Sequence, residues 1–403
     1  MDAGRRLVLA VVCGVAVAGI YAAQPVLRPM GAELGVPAGL TGWIVATGQL
    51  GYLAGLVLLV PLGDVVDRRR LIAAHLALTA VATAVTASAW AGWVAFTGLA
   101  AAGVLAVVVQ TTVAYAASVS APAERGRTIG AVTSGVVVGI LSARVVAGAM
   151  AEVWGWRGVY AVLAVLSAGL AAVVLAVLPA DRRATRRVPL TGLLGRRDFL
   201  IRGTIAFFLF AAFGTLWSGL SLPLADAPWR LSESLIGMFG LAGLAGALGA
   251  ARAGRWADAG HAHRVTGLSL VLLIASWAAI AQLPWSLWLL AAGIVALDFA
   301  VQAVHVSNQH VLTAGTAGTS TVIGGYMIFY SLGSALGATT TTAVFATHGW
   351  TGSSVLGAGF ACCALAVWAT DAVARRKAAI QDGGPVATTS ACHGHHAAST
   401  EAL

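Results

Sequence analysis

The chain has 403 residues, 59% of them hydrophobic and only 10% charged, where a soluble globular domain carries about 25% charged residues; this composition belongs in a bilayer. The net charge of +9 would raise nucleic acid as a partner in a soluble protein, but here the arginines fall in short clusters between apolar stretches, as in membrane-protein loops, and nucleic acid is set aside. The single lysine, Lys377, follows the last apolar stretch, so there is no glycine-rich phosphate loop ending in Lys-Ser/Thr to bind ATP, and any transport is secondary.

The chain opens with Arg5 and Arg6 before an apolar run in which Ala16-Val17-Ala18 imitates a signal-peptide cleavage site. That run continues to Leu27, long enough to span, and is read as the first crossing. Five more runs follow at Thr41 to Leu62, Leu71 to Ala89, Trp93 to Ala116, Ile129 to Met150 and Val159 to Leu178. A basic stretch comes next, and then six further runs: Gly203 to Leu222, Leu235 to Ala251, Val265 to Leu283, Leu287 to Leu312, Val322 to Phe345 and Ser353 to Ala374. Each covers about 30 Å of hydrocarbon at about 1.5 Å per residue. The expectation is an all-α integral membrane protein of twelve transmembrane helices in two six-helix bundles. Its N-terminal bundle spans 1–178, a basic connector 179–202, the C-terminal bundle 203–377 and a disordered tail 378–403.

Assigning alternate loops to opposite sides places 20 Lys and Arg residues on one side and only Arg28, Arg157 and Arg230 on the other. By the positive-inside rule both termini and the connector lie in the cytoplasm of a cell whose plasma membrane the chain crosses. An internal repeat is signalled by a constant offset of 194 positions between Asp64 and Asp258, between Gly155-Trp156 and Gly349-Trp350, and between Gly139 and Gly333. The four cysteines, Cys13, Cys362, Cys363 and Cys392, are read as free thiols. The tail cluster Cys392-His393-Gly394-His395-His396 is read as incidental, with no metal and no cofactor assigned.

A charge in the middle of an apolar helix costs about 2.5 to 3.5 kcal/mol on insertion scales, so each one needs a reason. Asp298 is the twelfth residue of the tenth run, near the midplane, with Gln302, His305 and Gln309 following on one helical face. It is a candidate for binding and releasing a proton, with His305 beside it; a protonated carboxyl that only bonds within the bundle is the alternative. Arg144 sits inside the fifth run and cannot discharge itself, so it requires an anion or carbonyl partner. A gating role between the halves, a direct pair with Asp298 and contact with substrate are the readings it leaves open. Tyr21, Gln24, Gln110, Tyr115, Trp217 and Gln302 are the neutral polar and aromatic candidates for lining a substrate cavity.

The loop Pro61-Leu62-Gly63-Asp64-Val65-Val66-Asp67-Arg68-Arg69-Arg70 resembles the cytoplasmic signature of the major facilitator superfamily, and Gly254 with Asp258 repeats its Gly-x-x-x-Asp part. Tyr21-Ala22-Ala23-Gln24-Pro25, Gln49-Leu50-Gly51-Tyr52, Glu124-Arg125-Gly126-Arg127, Gly155-Trp156-Arg157 and Asn308-Gln309 are similar to the bacterial drug-efflux branch, particularly arabinose-efflux-like permeases. The pattern departs at Val60 and Asp67, where glycines belong, and at Leu99, where many proton-coupled members carry arginine. It departs again at Gly139 to Arg144, which lacks the antiporter proline. The resemblance implies two bundles around a central cavity bordered by the Asp298 face, and a cytoplasmic latch made of Asp64, Arg68, Arg69 and Asp258. It implies proton-driven export of a small drug-like or natural-product compound by a chain acting as a monomer, with substrate, protons and the bilayer as its partners. An importer of a sugar or organic anion is the second expectation and a non-transporting sensor or scaffold the third. No nucleophile elbow, zinc motif or nucleotide loop suggests an enzyme.

Overall fold

The computed structural model describes residues 2–121, 124–181, 190–193, 195–249, 256, 261–313 and 319–381. Described residues form helices or the turns between them. The principal helices are α1 (Ala3–Tyr21), α2 (Leu27–Glu33), α3 (Gly42–Leu58), α4 (Arg68–Ala87), α5 (Gly92–Leu105), α6 (Val108–Val119) and α7 (Arg125–Val177). They continue as α8 (Arg197–Gly219), α9 (Ser221–Ala225), α10 (Glu233–Gly249), α11 (Ala262–Ile280), α12 (Leu287–Thr313) and α13 (Thr319–Gln381). Carboxylates cap the starts of α1 and α4: Asp2 accepts from the Arg5 amide at 2.8 Å, and Asp67 accepts from the Arg70 amide at 3.1 Å.

Helices α7 and α13 have 53 and 63 residues, far more than one crossing needs. Each is broken at one glycine: Gly155 has φ 66° and ψ 174°, and Gly349 has φ 60° and ψ −158°, a region that only glycine occupies without strain. Contacts show the reversal. Before the break α7 runs alongside α1 in the same direction, with Gly139 against Gly14 and Gly135 against Ala10. After it, α7 runs back along α4, with Arg157 bonded to the Ala89 carbonyl and Arg69 to the Leu178 carbonyl. α13 repeats the plan, with Gly333 and Gly337 against Phe207 and Ala211 of α8, then Trp350 and Trp368 donating to Ile280 and His263 of α11.

Nine described helices are long and apolar enough to cross a membrane. Two of them are the reversing pair, and a shorter apolar helix, Glu233–Gly246, supplies one more crossing, which gives the twelve crossings of two six-helix bundles. Helical boundaries differ from the expected runs in two informative places. The fourth run is interrupted by a turn at Ala106 and Val107, where α5 ends and α6 begins. Residues 197–202, expected in the connector, form the first turns of α8, and Arg202 among them is buried.

The outer surface is apolar, as lipid requires, with Leu7, Val81, Val165, Leu268 and Val355 all more than half exposed. Trp90, Trp93, Trp154, Trp285 and Trp288 are exposed at the arginine-poor end, the level at which amphipathic rings meet headgroups. At that same end the bundles are joined. Arg28 pairs with Asp226, the Ser234 amide donates to Glu152 Oε1 at 3.1 Å, and the Gly42 amide donates to Thr342 Oγ1 at 3.1 Å. Gly42 lies so close to α13 that a Cβ there would stand 2.0 Å from the Ala338 carbonyl oxygen.

Candidate functional site

Midway through the bundles, five helices, α1, α7, α8, α10 and α12, meet around two buried ionisable side chains. Arg144, on the first arm of α7, is 2% exposed. Its Nε donates to Gln24 Oε1 at 2.8 Å, just beyond the end of α1. Its guanidinium lies over Trp217 of α8, with Cζ 3.6 Å from the indole centroid, and it is flanked by Tyr21 at 5.5 Å and Phe213 at 5.6 Å. Trp217 and Phe213 belong to the second bundle, so Arg144 stacks across the interface between the halves. Its Nη1 and Nη2 are buried and have no hydrogen-bond partner.

Asp298, on α12, is 3% exposed, and its Oδ2 is likewise buried without a partner. Its surroundings are set by two glycines of α10: a Cβ on Gly243 would meet Trp217 Cζ2 at 2.9 Å and Asp298 Oδ2 at 3.2 Å, and one on Gly246 would meet the Asp298 Cβ at 3.0 Å. Trp217 Nε1 stands near the carboxylate without reaching hydrogen-bond geometry. Arg144 and Asp298 are close enough for each charge to act on the other, yet they form no ion pair; the Trp217 ring lies against both. A guanidinium and a carboxyl are thus buried around one indole, the first over its face and the second by its edge.

Toward the arginine-rich end an aromatic and hydroxyl layer follows. Tyr21 and Tyr330 hydroxyls meet across the bundle interface, and Phe210 lies 4.0 Å from the Tyr330 ring. His305 Nδ1 is 3.1 Å from the Tyr326 hydroxyl, its Nε2 is 3.1 Å from Gln309 Nε2, and its ring meets Phe210 edge-on at 5.3 Å. Gln302 is half-buried on the same helix, between Asp298 and His305. Gln110 donates to the Tyr52 hydroxyl at 3.0 Å.

Not every expected residue joins this group. Tyr115 donates to the Pro179 carbonyl at 2.8 Å, at the far end of the first bundle. Arg68 is buried and pairs with Asp181 at 3.0 Å, and Asp181 also accepts from Ser118. Arg69 donates to the Leu178 carbonyl at 3.1 Å. These two arginines therefore tie the start of α4 to the end of α7 within one bundle. Asp258 and the side chain of Asp64 lie outside the described residues.

Phe210, Phe213, Tyr326 and Tyr330 also belong to the layer, and the sequence does not mark them, since aromatic residues in apolar runs look like packing. Arg202, expected in the basic connector, is 3% exposed and donates to Asn308 Oδ1 at 3.0 Å and Thr266 Oγ1 at 3.2 Å. Asn308, noted beside Gln309, was the available signal.

Residues 9–338 match the model of the Major Facilitator Superfamily. The chain is 38% identical over 371 residues to the uncharacterized transporter YgaY of Escherichia coli O157:H7, covering 90% of this chain and 94% of that one. It is 32% identical over 356 residues to the probable transporter SCO4007 of Streptomyces coelicolor, covering 85% and 82%. In fold it is similar to a bacterial homologue of the human lysosomal transporter Spinster, solved in an inward-facing and occupied conformation, with a TM-score of 0.75, 17% identity, and 92% and 96% of the two chains covered. Two six-helix bundles, a buried charged layer between them and a family match over most of the length converge on one assignment: the chain is a multi-pass membrane transporter of the Major Facilitator Superfamily.

Proposed function

We propose that this transporter exports a small organic compound across the cytoplasmic membrane in exchange for protons, by alternating access around Arg144, Trp217 and Asp298. The observation that carries the proposal is the placement of Arg144 and Asp298 in different bundles, both buried and both beside the Trp217 indole. Arginine stays charged at any accessible pH, whereas a carboxylate can take a proton. Charges about 4 to 8 Å apart in an effective dielectric of about 20 attract by roughly 2 to 4 kcal/mol. Neutralising Asp298 removes that attraction, which biases a two-state equilibrium by roughly 30- to 1,000-fold.

In an exchanger the empty carrier must not cross. With Asp298 charged and the site empty, the attraction holds the bundles together at the arginine-poor end. A proton or a substrate that satisfies the site releases them. The arginine distribution supports placing the joined end outside and both termini in the cytoplasm, so that the site loads from within. One proton moving down about 100 mV supplies about 2.3 kcal/mol, enough for roughly a fifty-fold gradient. One chain contains both bundles, and the proposal requires no second copy.

Reconstitution into liposomes with an imposed pH gradient tests it. Candidate solutes should stimulate proton movement in the wild type, and Asp298→Asn should abolish that response while leaving insertion intact. Solute flux indifferent to the gradient would replace exchange with facilitated import, and absence of any solute response would favour a scaffold that keeps the fold without transport.

A further inference from the structure

We infer that the substrate is an amino-acid-like zwitterion with an aromatic body, its carboxylate taken by Arg144 and its ammonium by Asp298. The inference rests on the reading that this layer is the transport site, and it adds which chemistry the layer recognises.

The donors and acceptors left over at the site specify the ligand. Arg144 uses Nε on Gln24 and one face on Trp217, which fixes the guanidinium plane and leaves the Nη1 and Nη2 edge as a free two-pronged donor. A planar carboxylate is the group that accepts both prongs. Asp298 Oδ2, buried without a partner near the edge of the indole, calls for a donor that carries positive charge. Tyr21, Phe210, Phe213, Trp217 and Tyr330 surround the layer with aromatic rings packed on one another, surroundings that suit a flat apolar body.

Linkage selects between ligand charges. An anion would bind Arg144 more tightly once a proton had neutralised Asp298, so proton and substrate would travel together, not in exchange. A cation would compete with the proton at Asp298 but would face the uncompensated Arg144 charge. A zwitterion avoids both faults: its ammonium takes the place of the proton, which makes the two mutually exclusive, and its carboxylate satisfies Arg144. Each buried charge acquires a partner, and the bound site carries no net charge, the same as the empty one.

The test is equilibrium binding to the purified full-length transporter in detergent, read by tryptophan fluorescence and calorimetry without any gradient. L-phenylalanine is compared with N-acetyl-L-phenylalanine, which is an anion, and L-phenylalaninamide, which is a cation, on one aromatic body. The zwitterion should bind about tenfold or more tightly than either relative, since each lacks one charge-assisted contact. Asp298→Asn should erase the preference for L-phenylalanine over the N-acetyl form, and Arg144→Gln the preference over the amide. The wild-type comparison alone decides the case if a variant fails to fold. Tighter binding of the anion or the cation, equal binding of all three, or binding of none overturns the inference. Proton exchange in liposomes is a separate readout. If zwitterion selectivity holds and solute-stimulated proton flux is absent, the recognition chemistry stands and the exchange reading falls; the reverse result removes only the substrate class.

Discussion

Arg144 and Asp298 are legible in the sequence because a charge in an apolar run has no cheap explanation. What joins them is only half legible: Trp217 stands among the aromatic cavity candidates, but no local pattern sets it against Arg144 of the other bundle. The guanidinium is used in three ways at once, as an Nε donor, a stacked plane and a free edge, and an ammonium supplies none of these in the same place. Arg144→Lys should therefore lower transport about tenfold or more despite the retained charge; near-normal solute flux in that variant would show that charge alone suffices. Arg202 teaches the opposite lesson, since a sequence that places it among loop arginines hides its burial. Removing its partner with Asn308→Ala should cost about 1.5 to 3 kcal/mol, as a buried charged donor loses its acceptor, and thermal unfolding in detergent measures it. An unchanged midpoint would mean that Thr266 alone is sufficient.

At the scale of elements, the turns at Gly155 and Gly349 were readable as a Gly-Trp pair repeated at a constant offset, and both have the positive φ that requires glycine. Gly155→Ala should destabilise the protein by about 1 to 3 kcal/mol through backbone strain, with Gly349→Ala close behind, and loss of thermal stability in both variants is the check. The break between α5 and α6 was not readable. Gly103-Val104-Leu105-Ala106-Val107-Val108 contains no proline or polar residue, so hydropathy runs through it unbroken. Beside the Gly155 turn, Glu33 at the end of α2 accepts from Trp156 Nε1 at 2.5 Å and pairs with Arg157. Partial burial pushes its carboxyl upward, but the hydrogen bonds from Trp156 and Arg157 and the Arg157 charge outweigh that, leaving it below the usual 4.5. A group depressed in the folded state stabilises above its unfolded pKa and loses that contribution as pH falls through the folded value. Stability should thus decline on acidification below about pH 4.5, and Glu33→Gln should flatten that limb of a pH-dependent unfolding series; an identical acid limb in the variant would contradict it.

For the whole molecule, length and hydropathy sufficed to read twelve crossings and two bundles, because a bilayer fixes how long an apolar helix must be. How the bundles meet was beyond the sequence. Contacts such as Gly42 on Thr342 or Glu152 on the Ser234 amide join small or loop-end residues that no local pattern marks. The exposed pair of Arg28 and Asp226 should contribute only about 0 to 1 kcal/mol to closure, so Asp226→Asn should shift the conformational balance by no more than about fivefold. On the proposed mechanism the buried layer carries the larger share. Pulsed electron–electron distance measurement decides whether it does, with spin labels at Leu40 and Thr347, both exposed and next to the close approach of Gly39 to Ala346. With Asp298 intact and no solute, the labels should report one short distance across the joined bundles. Asp298→Asn should add a longer population, as the lock between Arg144 and Asp298 is lost. The same single short distance in both proteins would contradict the account.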